Sequence, residues 1–422
     1  MSRIAVIGTG YVGLTTGACF AHIGHDVVCA DIDADKVDRL NRGEIPIVEA
    51  GIDRLVADGL RSGRLRFVLG AAVAAADCEF AYLCVPTPQS DDGSADLSYI
   101  EAAARQIAPV LPSEAIVVNK STVPVGSTKV VERVMSRPDV AVVSNPEFLR
   151  EGSAVHDFLH PDRIVIGADD QAAAIKVAAL YLGIPAPLIV TNPASAETIK
   201  YAANAFLATK ISFVNAVAAV CEAVGADVND VVLGIGYDKR IGQEFLKPGP
   251  GWGGSCFPKD TRAMVKIAAD HGYDFDLLKG VITVNDDQRE RIVHKIESAA
   301  GGSVDGVTVA VWGLTFKART DDMRESPSLA IIEALLQRGA QVRAYDPTVT
   351  SPLSGISICA DAYAACEGAA VLAVLTEWDE FRWLDIDKVA SAMSGRAIVD
   401  GRNLLDHNAW RQAHFTVAGI GR

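Results

Sequence analysis

The sequence lacks closely paired cysteines, an excess of basic residues and a long unbroken hydrophobic run. Its eight cysteines are scattered without a C-x-x-C pair, which argues against a zinc site or other metal centre and favours a reducing compartment over a disulfide framework. Asp and Glu outnumber Lys and Arg by 53 to 39, for a net charge of −14. Such an acidic chain is a poor partner for nucleic acid.

Hydrophobic stretches are interrupted before they reach membrane length. The longest uncharged stretch, residues 177–196, contains Pro185, Pro187 and Pro193. The apolar N-terminus is broken by Gly8 and Gly10, where a signal peptide needs a continuous apolar segment. We therefore expect a cytoplasmic protein with no membrane insertion.

Short apolar runs alternating with helical stretches predict an α/β protein with two Rossmann-like domains and parallel sheets, joined by a long central helix and a helical middle domain. Strands are expected at 4–7, 26–30, 80–85, 116–120, 141–144 and 163–166, and α/β text resumes at residue 307. Between them, an Ala- and Val-rich helical run extends from Ser195, with a capped start, to about residue 232. The predicted domains are 1–194, 195–300 and 301–422.

The glycine loop after the first predicted strand is a candidate dinucleotide site. Gly8, Gly10 and Gly13 supply a tight turn, a close backbone approach to pyrophosphate and close helix packing. Asp31 ends the second strand, where its carboxylate can accept hydrogen bonds from a ribose diol and repels a 2′-phosphate. The pattern therefore predicts NAD rather than NADP.

Two further loops follow predicted strands, at residues 85–88 with Thr87 and at 121–126 with Thr122. The carboxyl ends of parallel strands meet at one edge of a sheet, which favours cofactor contact over ordinary turns.

The glycine- and proline-rich segment 245–260 is the most unusual of the chain. Such composition forms neither a helix nor a central strand and is typical of backbone that lies against a ligand. Pro258 suits the first turn of a following helix, so Cys256 is expected just before that helix, where Lys259 and the helix end favour a thiolate. A nucleophilic cysteine in an NAD enzyme indicates aldehyde oxidation through a thiohemiacetal and a thioester.

Other polar residues fit two interpretations by spacing alone. Lys200 and Asn204 share a helix face that is equally compatible with solvent exposure. Glu147 is either a base that activates water or a helix cap. Basic residues after strands of the third segment either bind phosphates or are ordinary surface charges: Lys317, Arg324 and Arg402.

Together these motifs resemble the UDP-glucose/GDP-mannose dehydrogenase family over nearly the whole chain. The resemblance rests on the glycine loop and on VPTP, STVPVGST, NPEFLREG, ETIKYAANAFLATKISF, RIG, GGSCFPKD, FKARTDDMRESPS and DGRN, in the family's order. It implies NAD binding by domain 1–194, nucleotide-sugar binding by domain 301–422, and a homodimer or larger assembly built on domain 195–300.

The resemblance also implies roles for individual residues. Cys256 is the expected nucleophile, Glu147 assists thioester hydrolysis, and proton transfer and oxyanion stabilisation fall to Lys200, Asp260, Thr122 and Asn204. The expected cofactor contacts are Gly8, Gly10, Tyr11, Val12, Gly13, Asp31, Lys36, Thr87, Thr122, Glu151, Lys259 and Arg324. The expected sugar-nucleotide contacts are Glu147, Phe148, Leu149, Arg150, Glu151, Lys200, Asn204, Phe245, Leu246, Lys247, Pro248, Gly249, Gly253, Lys317 and Arg402, with Arg240 from a neighbouring subunit.

Three positions bear on the substrate that the resemblance implies. Ser255 stands where members acting on N-acetylated sugars tend to have His, Phe257 leans toward the UDP-glucose branch, and Trp252 replaces a common Phe. The primary expectation is four-electron oxidation of UDP-glucose to UDP-glucuronate. The alternatives are the same chemistry on GDP-mannose, a two-electron alcohol dehydrogenase that does not need the cysteine, and a non-catalytic NAD-binding scaffold.

Overall fold

The computed structural model describes residues 1–90 and 94–422. The chain forms two compact units: the first comprises residues 1–203 and 262–271, and the second comprises residues 204–261 and 272–422. The division into domains 1–194, 195–300 and 301–422 stays a prediction.

The first unit is built on an eight-stranded sheet with the order β3-β2-β1-β4-β5-β6-β7-β8. Buried β-branched and aliphatic residues fill the central strands, as expected for a sheet covered on both faces. The strands are β1 Arg3–Ile7, β2 Asp26–Asp31, β3 Leu65–Leu69, β4 Phe80–Leu83, β5 Ile116–Asn119, β6 Ala141–Ser144, β7 Ile164–Gly167 and β8 Leu188–Thr191. The covering helices are α1 Tyr11–His22, α2 Ala34–Asn41, α3 Ile52–Ser62, α4 Ala71–Ala75, α5 Ser98–Ile107, α6 Ser127–Met135, α7 Ala154–Leu159 and α8 Gln171–Ala179.

Strands β1 to β6 are parallel, as predicted, but β7 is antiparallel to β6 and pairs with it only at Ser144 and Gly167. A parallel neighbour needs a crossover that returns the chain to the far edge of the sheet, whereas the connection 145–163 begins β7 at the edge where β6 ends. The Asn145 side chain spans this junction by donating to the Val165 carbonyl at 2.8 Å. The carboxyl end of β7 therefore faces away from the loops that follow β1, β4, β5 and β6.

The predicted helical middle contains four helices: α9 Pro193–Val224, α10 Val228–Gly236, α11 Phe257–Asp270 and α12 Asp276–Ala299. The expected run to residue 232 is interrupted at Gly225, whose φ of 75° ends α9. The expected cap at Ser195 is wrong: the Asn192 side chain accepts the Ser195 N–H at 2.8 Å, and α9 starts at Pro193.

By length and composition, α9 alone among the described residues could cross a membrane. It nevertheless carries Glu197, Lys200, Asn204 and Asn215 as buried polar residues. Each of these side chains bonds to another group of the protein, as in a helix that packs within a folded protein.

The second unit contains a fully parallel six-stranded sheet with the order β11-β10-β9-β12-β13-β14. Its strands are β9 Thr308–Trp312, β10 Gln341–Tyr345, β11 Ile356–Ile358, β12 Val371–Val374, β13 Ala397–Asp400 and β14 Thr416–Ala418. Its further helices are α13 Pro327–Gln337, α14 Ala362–Cys366, α15 Ile386–Ala392 and α16 His407–Gln412, with a 3₁₀ turn at Asp379–Trp383. The predicted α/β fold with two parallel-dominated sheets and a long helix is confirmed.

Candidate active site

The loop between β1 and α1 has the geometry that a dinucleotide pyrophosphate requires. Gly8 has a φ of 96°, and a Cβ at Gly13 would lie 1.9 Å from the Gly8 carbonyl oxygen, so both positions exclude a side chain. A Cβ at Gly10 would meet nothing within 4 Å. This open space above the start of α1 is where a phosphate can reach the free N–H groups of the helix.

Asp31 closes the same site at the end of β2. Its carboxylate accepts hydrogen bonds from the Thr9 N–H and hydroxyl, and Lys36 Nζ lies 3.0 Å from Oδ2. Burial by itself raises the pKa of Asp31, but the Thr9 and Lys36 hydrogen bonds outweigh it and hold the pKa at about 2. The carboxylate is therefore ionised at neutral pH, and these residues fit a cofactor with a free ribose diol.

Neighbouring loops meet at this edge of the sheet. The Thr87 hydroxyl donates to the Thr122 carbonyl at 2.8 Å, which joins the loops after β4 and β5. Tyr11 donates its hydroxyl to Glu49 and accepts the Gly152 N–H, which ties the start of α1 to the loop after β6. Two other expected cofactor contacts, Val12 on α1 and Glu151 beside Gly152, are half-buried.

A buried ion pair lies after β6 in the first unit. Lys200 Nζ is 2.8 Å from Glu147 Oε1, and both side chains are almost fully enclosed. Burial raises the pKa of Glu147, but the Lys200 ammonium and the Leu149 N–H together hold it below its usual value. Since Glu147 is ionised, it holds Lys200 in one position and can accept a proton only when that pair is disturbed.

Of the residues that follow Glu147, Phe148 lies beside the Glu147–Lys200 ion pair, and Arg150 lies nearer the surface. The Phe148 ring lies against the Arg163 guanidinium at 3.7 Å and near Lys200 Nζ at 5.5 Å. Arg150 makes a two-pronged ion pair with Asp157. The resemblance assigns Arg150 to the sugar nucleotide, but Asp157 already neutralises its charge. A ligand that reaches Arg150 therefore meets a paired guanidinium.

In the second unit, Cys256 directly precedes α11, and its carbonyl accepts the first helical hydrogen bond, from the Asp260 N–H. The side chain is half-buried. In contrast, burial raises the pKa of several other thiols to about 12, and these are Cys19, Cys78, Cys84 and Cys366. Cys256 thus combines partial exposure with a helix N-terminus, the setting of a reactive thiol.

The backbone before Cys256 lies against other groups without spare room. A Cβ at Gly253 would lie 2.0 Å from the Glu325 carbonyl oxygen, and one at Gly251 would lie 2.8 Å from Asn285 Oδ1. The Gly254 N–H donates to the Arg324 carbonyl at 3.1 Å. These contacts explain why the segment requires glycine.

Asp260 forms the polar centre of this part of the second unit. Its carboxylate accepts from Asn204 Nδ2 at 2.6 Å and from Lys259 Nζ at 2.5 Å, and it is fully buried. Spacing alone left open whether the Asn204 side chain faces solvent or the site, and in the structure it is buried against Asp260. Lys259 and Asp260 stand on the first turn of α11, which begins directly after the cysteine, whereas Asn204 reaches Asp260 from α9.

The remaining predicted contacts of the second unit have mixed positions. Arg402 donates to the Leu375 and Phe316 carbonyls, and a Cβ at Gly249 would lie 3.2 Å from its guanidinium. Arg324 pairs with Asp322, and Lys317 lies over the Phe316 ring. Leu246, Pro248 and Gly249 are buried, Phe245 is half-buried with a φ of 61°, and Lys247 is exposed.

The side chain of Arg240 is 89% exposed and forms an ion pair with Asp238, two residues before it. Among the residues that the structure describes, the hydrogen bonds of its guanidinium go to Asp238. This position agrees with the expectation that it serves a neighbouring subunit, which stays a prediction.

Sequence reasoning missed the buried side chains that hold the site loops. Glu197 on α9 accepts from the Gly126 N–H and from the Thr128 N–H and hydroxyl. It thereby caps α6 from another helix, and its place in ETIK beside Lys200 was the available signal. Four more, on α9 and α12, hold the cysteine loop and carried no local signal: Ser212, Asn215, Asn285 and Gln288.

Comparison with known proteins gives matches over the full chain. Three parts match the UDP-glucose/GDP-mannose dehydrogenase family: the NAD binding domain at residues 2–184, the central domain at 194–287 and the UDP binding domain at 310–407. A UDP-glucose 6-dehydrogenase of Rhizobium meliloti is 48% identical, with 100% of this chain and 99% of that protein covered. Another from Bacillus subtilis is 47% identical, with 100% and 94% covered. The structure of a UDP-glucose dehydrogenase from Pyrobaculum islandicum superposes with a TM-score of 0.90 at 39% identity, covering 96% of this chain and 95% of that one.

Proposed function

Because this chain belongs to the UDP-glucose/GDP-mannose dehydrogenase family, we propose that it oxidises UDP-glucose to UDP-glucuronate with NAD as the hydride acceptor. Its full-length relatives at 48% and 47% identity carry the name UDP-glucose 6-dehydrogenase, which supports UDP-glucose over GDP-mannose. A scaffold role is disfavoured because such a protein would have no need of a partly exposed thiol at a helix N-terminus.

One observation carries the proposed mechanism: Cys256 is half-buried at the start of α11, in a loop whose glycines leave no room for side chains. A nucleophile must be both accessible and fixed in place. A two-electron alcohol dehydrogenase needs neither property at this position. The cysteine therefore points to oxidation beyond the aldehyde.

The first oxidation converts the C6 alcohol to an aldehyde. When bound, NAD would supply the hydride acceptor for C6, and a second NAD would replace the first NADH before the second oxidation. The proton of the alcohol passes to one of the groups to which the resemblance assigns proton transfer, and Asp260 is one of them. Hydrogen bonds from Asn204 and Lys259 hold the Asp260 carboxylate in place. Lys200, fixed by Glu147, supplies the positive charge that stabilises a developing oxyanion.

The second oxidation proceeds on the cysteine. The Cys256 sulfur bonds to the aldehyde carbon and the aldehyde oxygen gains a proton, which gives a thiohemiacetal. Loss of the second hydride from its carbon and of the proton from its hydroxyl then leaves a thioester. Water then attacks the thioester carbon and the C–S bond breaks. The Cys256 thiolate is the leaving group, and UDP-glucuronate is the product. Glu147 accepts the proton of that water in this proposal, which requires its pairing with Lys200 to loosen at this step.

We also propose that the protein is a homodimer in solution. Phe206, Phe213 and Val220 lie seven residues apart on α9 and, with Val224, are each more than half exposed, forming an apolar stripe on one helix face. Exposed apolar stripes of this kind mark interfaces, and a second copy offers the same stripe. Phe213→Glu should halve the mass measured by light scattering, whereas Leu182→Glu, at an exposed apolar residue of the first unit, should leave the mass unchanged.

A cytoplasmic location is part of the proposal. All eight cysteines are free, the state that reducing compartments maintain. Fractionation of the cells that express the protein tests this directly.

The mechanism is tested by the NADH formed per sugar consumed. We expect two NADH per UDP-glucose and no turnover of GDP-mannose by the unmodified enzyme. Cys256→Ala should form no UDP-glucuronate, and Cys359→Ala, at the other half-buried cysteine, should retain full activity. UDP-glucuronate from Cys256→Ala would refute the nucleophile, and turnover of GDP-mannose alone would overturn the substrate.

A further inference from the structure

The loop that carries Cys256 is held by buried side chains that no part of the proposed chemistry uses. Two backbone groups of Gly249 are bound: its N–H donates to Asn215 Oδ1 at 2.9 Å, and its carbonyl accepts from Gln288 Nε2 at 2.9 Å. Both amide side chains are almost fully buried. Since buried backbone groups need partners, these contacts replace the ladder that the loop cannot form.

Trp252 is held in the same way on both sides of its peptide. Its N–H donates to Asn285 Oδ1 at 2.7 Å, and its carbonyl accepts from Asn285 Nδ2 at 3.1 Å. The Asn285 side chain on α12 therefore hydrogen-bonds both the N–H and the carbonyl of Trp252, as a neighbouring strand would.

The Trp252 side chain adds a third anchor. Its indole Nε1–H donates to Ser212 Oγ on α9 at 2.9 Å, and the Ser212 hydroxyl donates to the Val281 carbonyl on α12 at 2.8 Å. The indole and the serine are both at least nine-tenths buried. The chain from Trp252 through Ser212 to Val281 therefore links the loop to two helices at once.

Little backbone separates this anchor from the thiol. After Trp252, Gly253 packs against the Glu325 carbonyl, Gly254 donates to the Arg324 carbonyl, and α11 begins directly after Cys256. A shift of the indole is therefore transmitted to the sulfur with little slack.

We propose that Trp252 is a positioning residue for the proposed reaction: its hydrogen bond to Ser212 fixes the loop so that the Cys256 sulfur meets the reacting carbon. This inference rests on the proposed function. Trp252 acts through the loop, so its loss slows the chemical steps and leaves the affinity for NAD and the sugar nucleotide intact.

The substitution Trp252→Phe removes this hydrogen bond, because phenylalanine lacks the N–H, and it keeps an aromatic ring of smaller volume at the same place. We expect kcat to fall about five- to tenfold, the equivalent of one neutral hydrogen bond, with KM for UDP-glucose and for NAD within twofold of the unmodified enzyme. The matched control is Trp383→Phe, at an exposed tryptophan of the same unit, which should leave kcat and KM unchanged.

Hydrogen exchange gives a readout that does not depend on turnover. The amides of segment 246–256 should exchange faster in Trp252→Phe than in the unmodified protein, whereas α13 and the sheet strands should be unaffected. Unchanged exchange in this segment would overturn the claim that the bond fixes the loop.

A double-mutant cycle tests whether the two side chains act together. Ser212→Ala removes the partner of the indole, so adding Trp252→Phe to it should lower kcat no further. Fully multiplicative effects would refute the coupling, as would a kcat for Trp252→Phe within twofold of normal. A rise in KM at constant kcat would assign Trp252 to the sugar site instead.

The failure of this inference is distinguishable from failure of the proposed function. If the unmodified protein forms no NADH with UDP-glucose, the function is wrong while the exchange experiment still tests the loop. If the unmodified protein is active and Trp252→Phe matches it in kcat and exchange, only the positioning role is wrong.

Discussion

The two sheets start with the same local plan and use it differently. In each, a glycine with positive φ follows the first strand, at Gly8 and Gly313, and an aspartate stands at the end of the second strand (Asp31) or directly after it (Asp346). In the first unit three residues (8–10) separate β1 from α1, whereas fourteen (313–326) separate β9 from α13. Only the first arrangement brings a helix N-terminus directly to the glycine.

The fate of the aspartate completes the contrast. Asp346 is buried and accepts from the Leu314 and Thr315 backbone and from the Trp378 indole at 3.1 Å. Asp31 is partly exposed, and one of its partners is the ammonium of Lys36, which is itself partly exposed. The partial exposure of Asp31 leaves room for a cofactor ribose, whereas the carboxylate of Asp346 is buried and hydrogen-bonded within its own unit. The same motif is thus a candidate binding site in one unit and a buried structural contact in the other.

The largest expected changes in NAD affinity and in stability come from substituting one glycine in each of the two loops. Gly10→Ala places a methyl where nothing lies within 4 Å, so the fold stays intact, but the methyl keeps a phosphate from the helix. NAD affinity should fall roughly 100-fold, as for two charge-assisted hydrogen bonds of about 1.5 kcal/mol each.

Its counterpart is Gly313→Ala, whose Cβ would lie 2.3 Å from Thr376 at a φ of 95°. Here the free energy of unfolding of the second unit should fall by roughly 3 kcal/mol, with NAD affinity unchanged. Calorimetric titration and thermal melting of both variants check the pair, and a loss of NAD affinity in Gly313→Ala would break the comparison.

The aspartates should separate in the same direction with smaller effects. Asp31→Asn should weaken NAD binding about tenfold and reduce the preference over NADP, since a charged acceptor is lost. Asp346→Asn turns an amide N–H toward buried donors and should cost about 1–3 kcal/mol of stability, with NAD affinity preserved. Titrating both variants with NAD and NADP decides the matter, and equal losses of affinity would contradict it.

Acid should reveal the ionised state of Asp31. Its folded pKa of about 2 lies below the usual 3.8, so ionisation stabilises the fold above about pH 4, and this contribution is lost as the pH falls through 2. The contribution is about 2 kcal/mol. Urea unfolding between pH 5 and pH 2 should show it in the unmodified protein and not in Asp31→Asn.

Lys36 should give the smallest effect. Its ammonium pairs with Asp31 at a partly exposed position, where such pairs contribute less than about 1 kcal/mol. Lys36→Gln should therefore change NAD affinity by no more than about threefold. Isothermal titration at low and high salt measures this, and a tenfold loss would assign Lys36 a direct contact with the cofactor.

The sequence predicted most elements of the fold because they have strong local signals. The buried strands have continuous apolar runs, and Pro258 lies in the first turn of α11, as a proline at a helix start predicts. The errors are non-local. The antiparallel direction of β7 depends on where the connection 145–163 emerges, and the start of α9 depends on which of several polar residues reaches the first free N–H groups.

The candidate site divides in the same way. Gly8, Gly13 and Asp31 were predictable because each satisfies a backbone or charge requirement within one short motif. The even choices at Lys200 and Asn204 required the partners Glu147 and Asp260, which are distant in sequence. Residues such as Ser212 and Asn285 had no signal at all, since polar residues on a helix are indistinguishable until something packs on them.

What the sequence by itself determined is chemical: a glycine loop with an acid at the right strand end, a cysteine among glycines before a helix, and the periodicities of two α/β sheets. Tertiary structure alone decided which of two similar aspartates stays open to a ligand and which buried side chains hold the cysteine loop. The physical reason is that burial and hydrogen-bond partnership are properties of distant segments brought together, whereas backbone conformation and periodicity are properties of each segment itself.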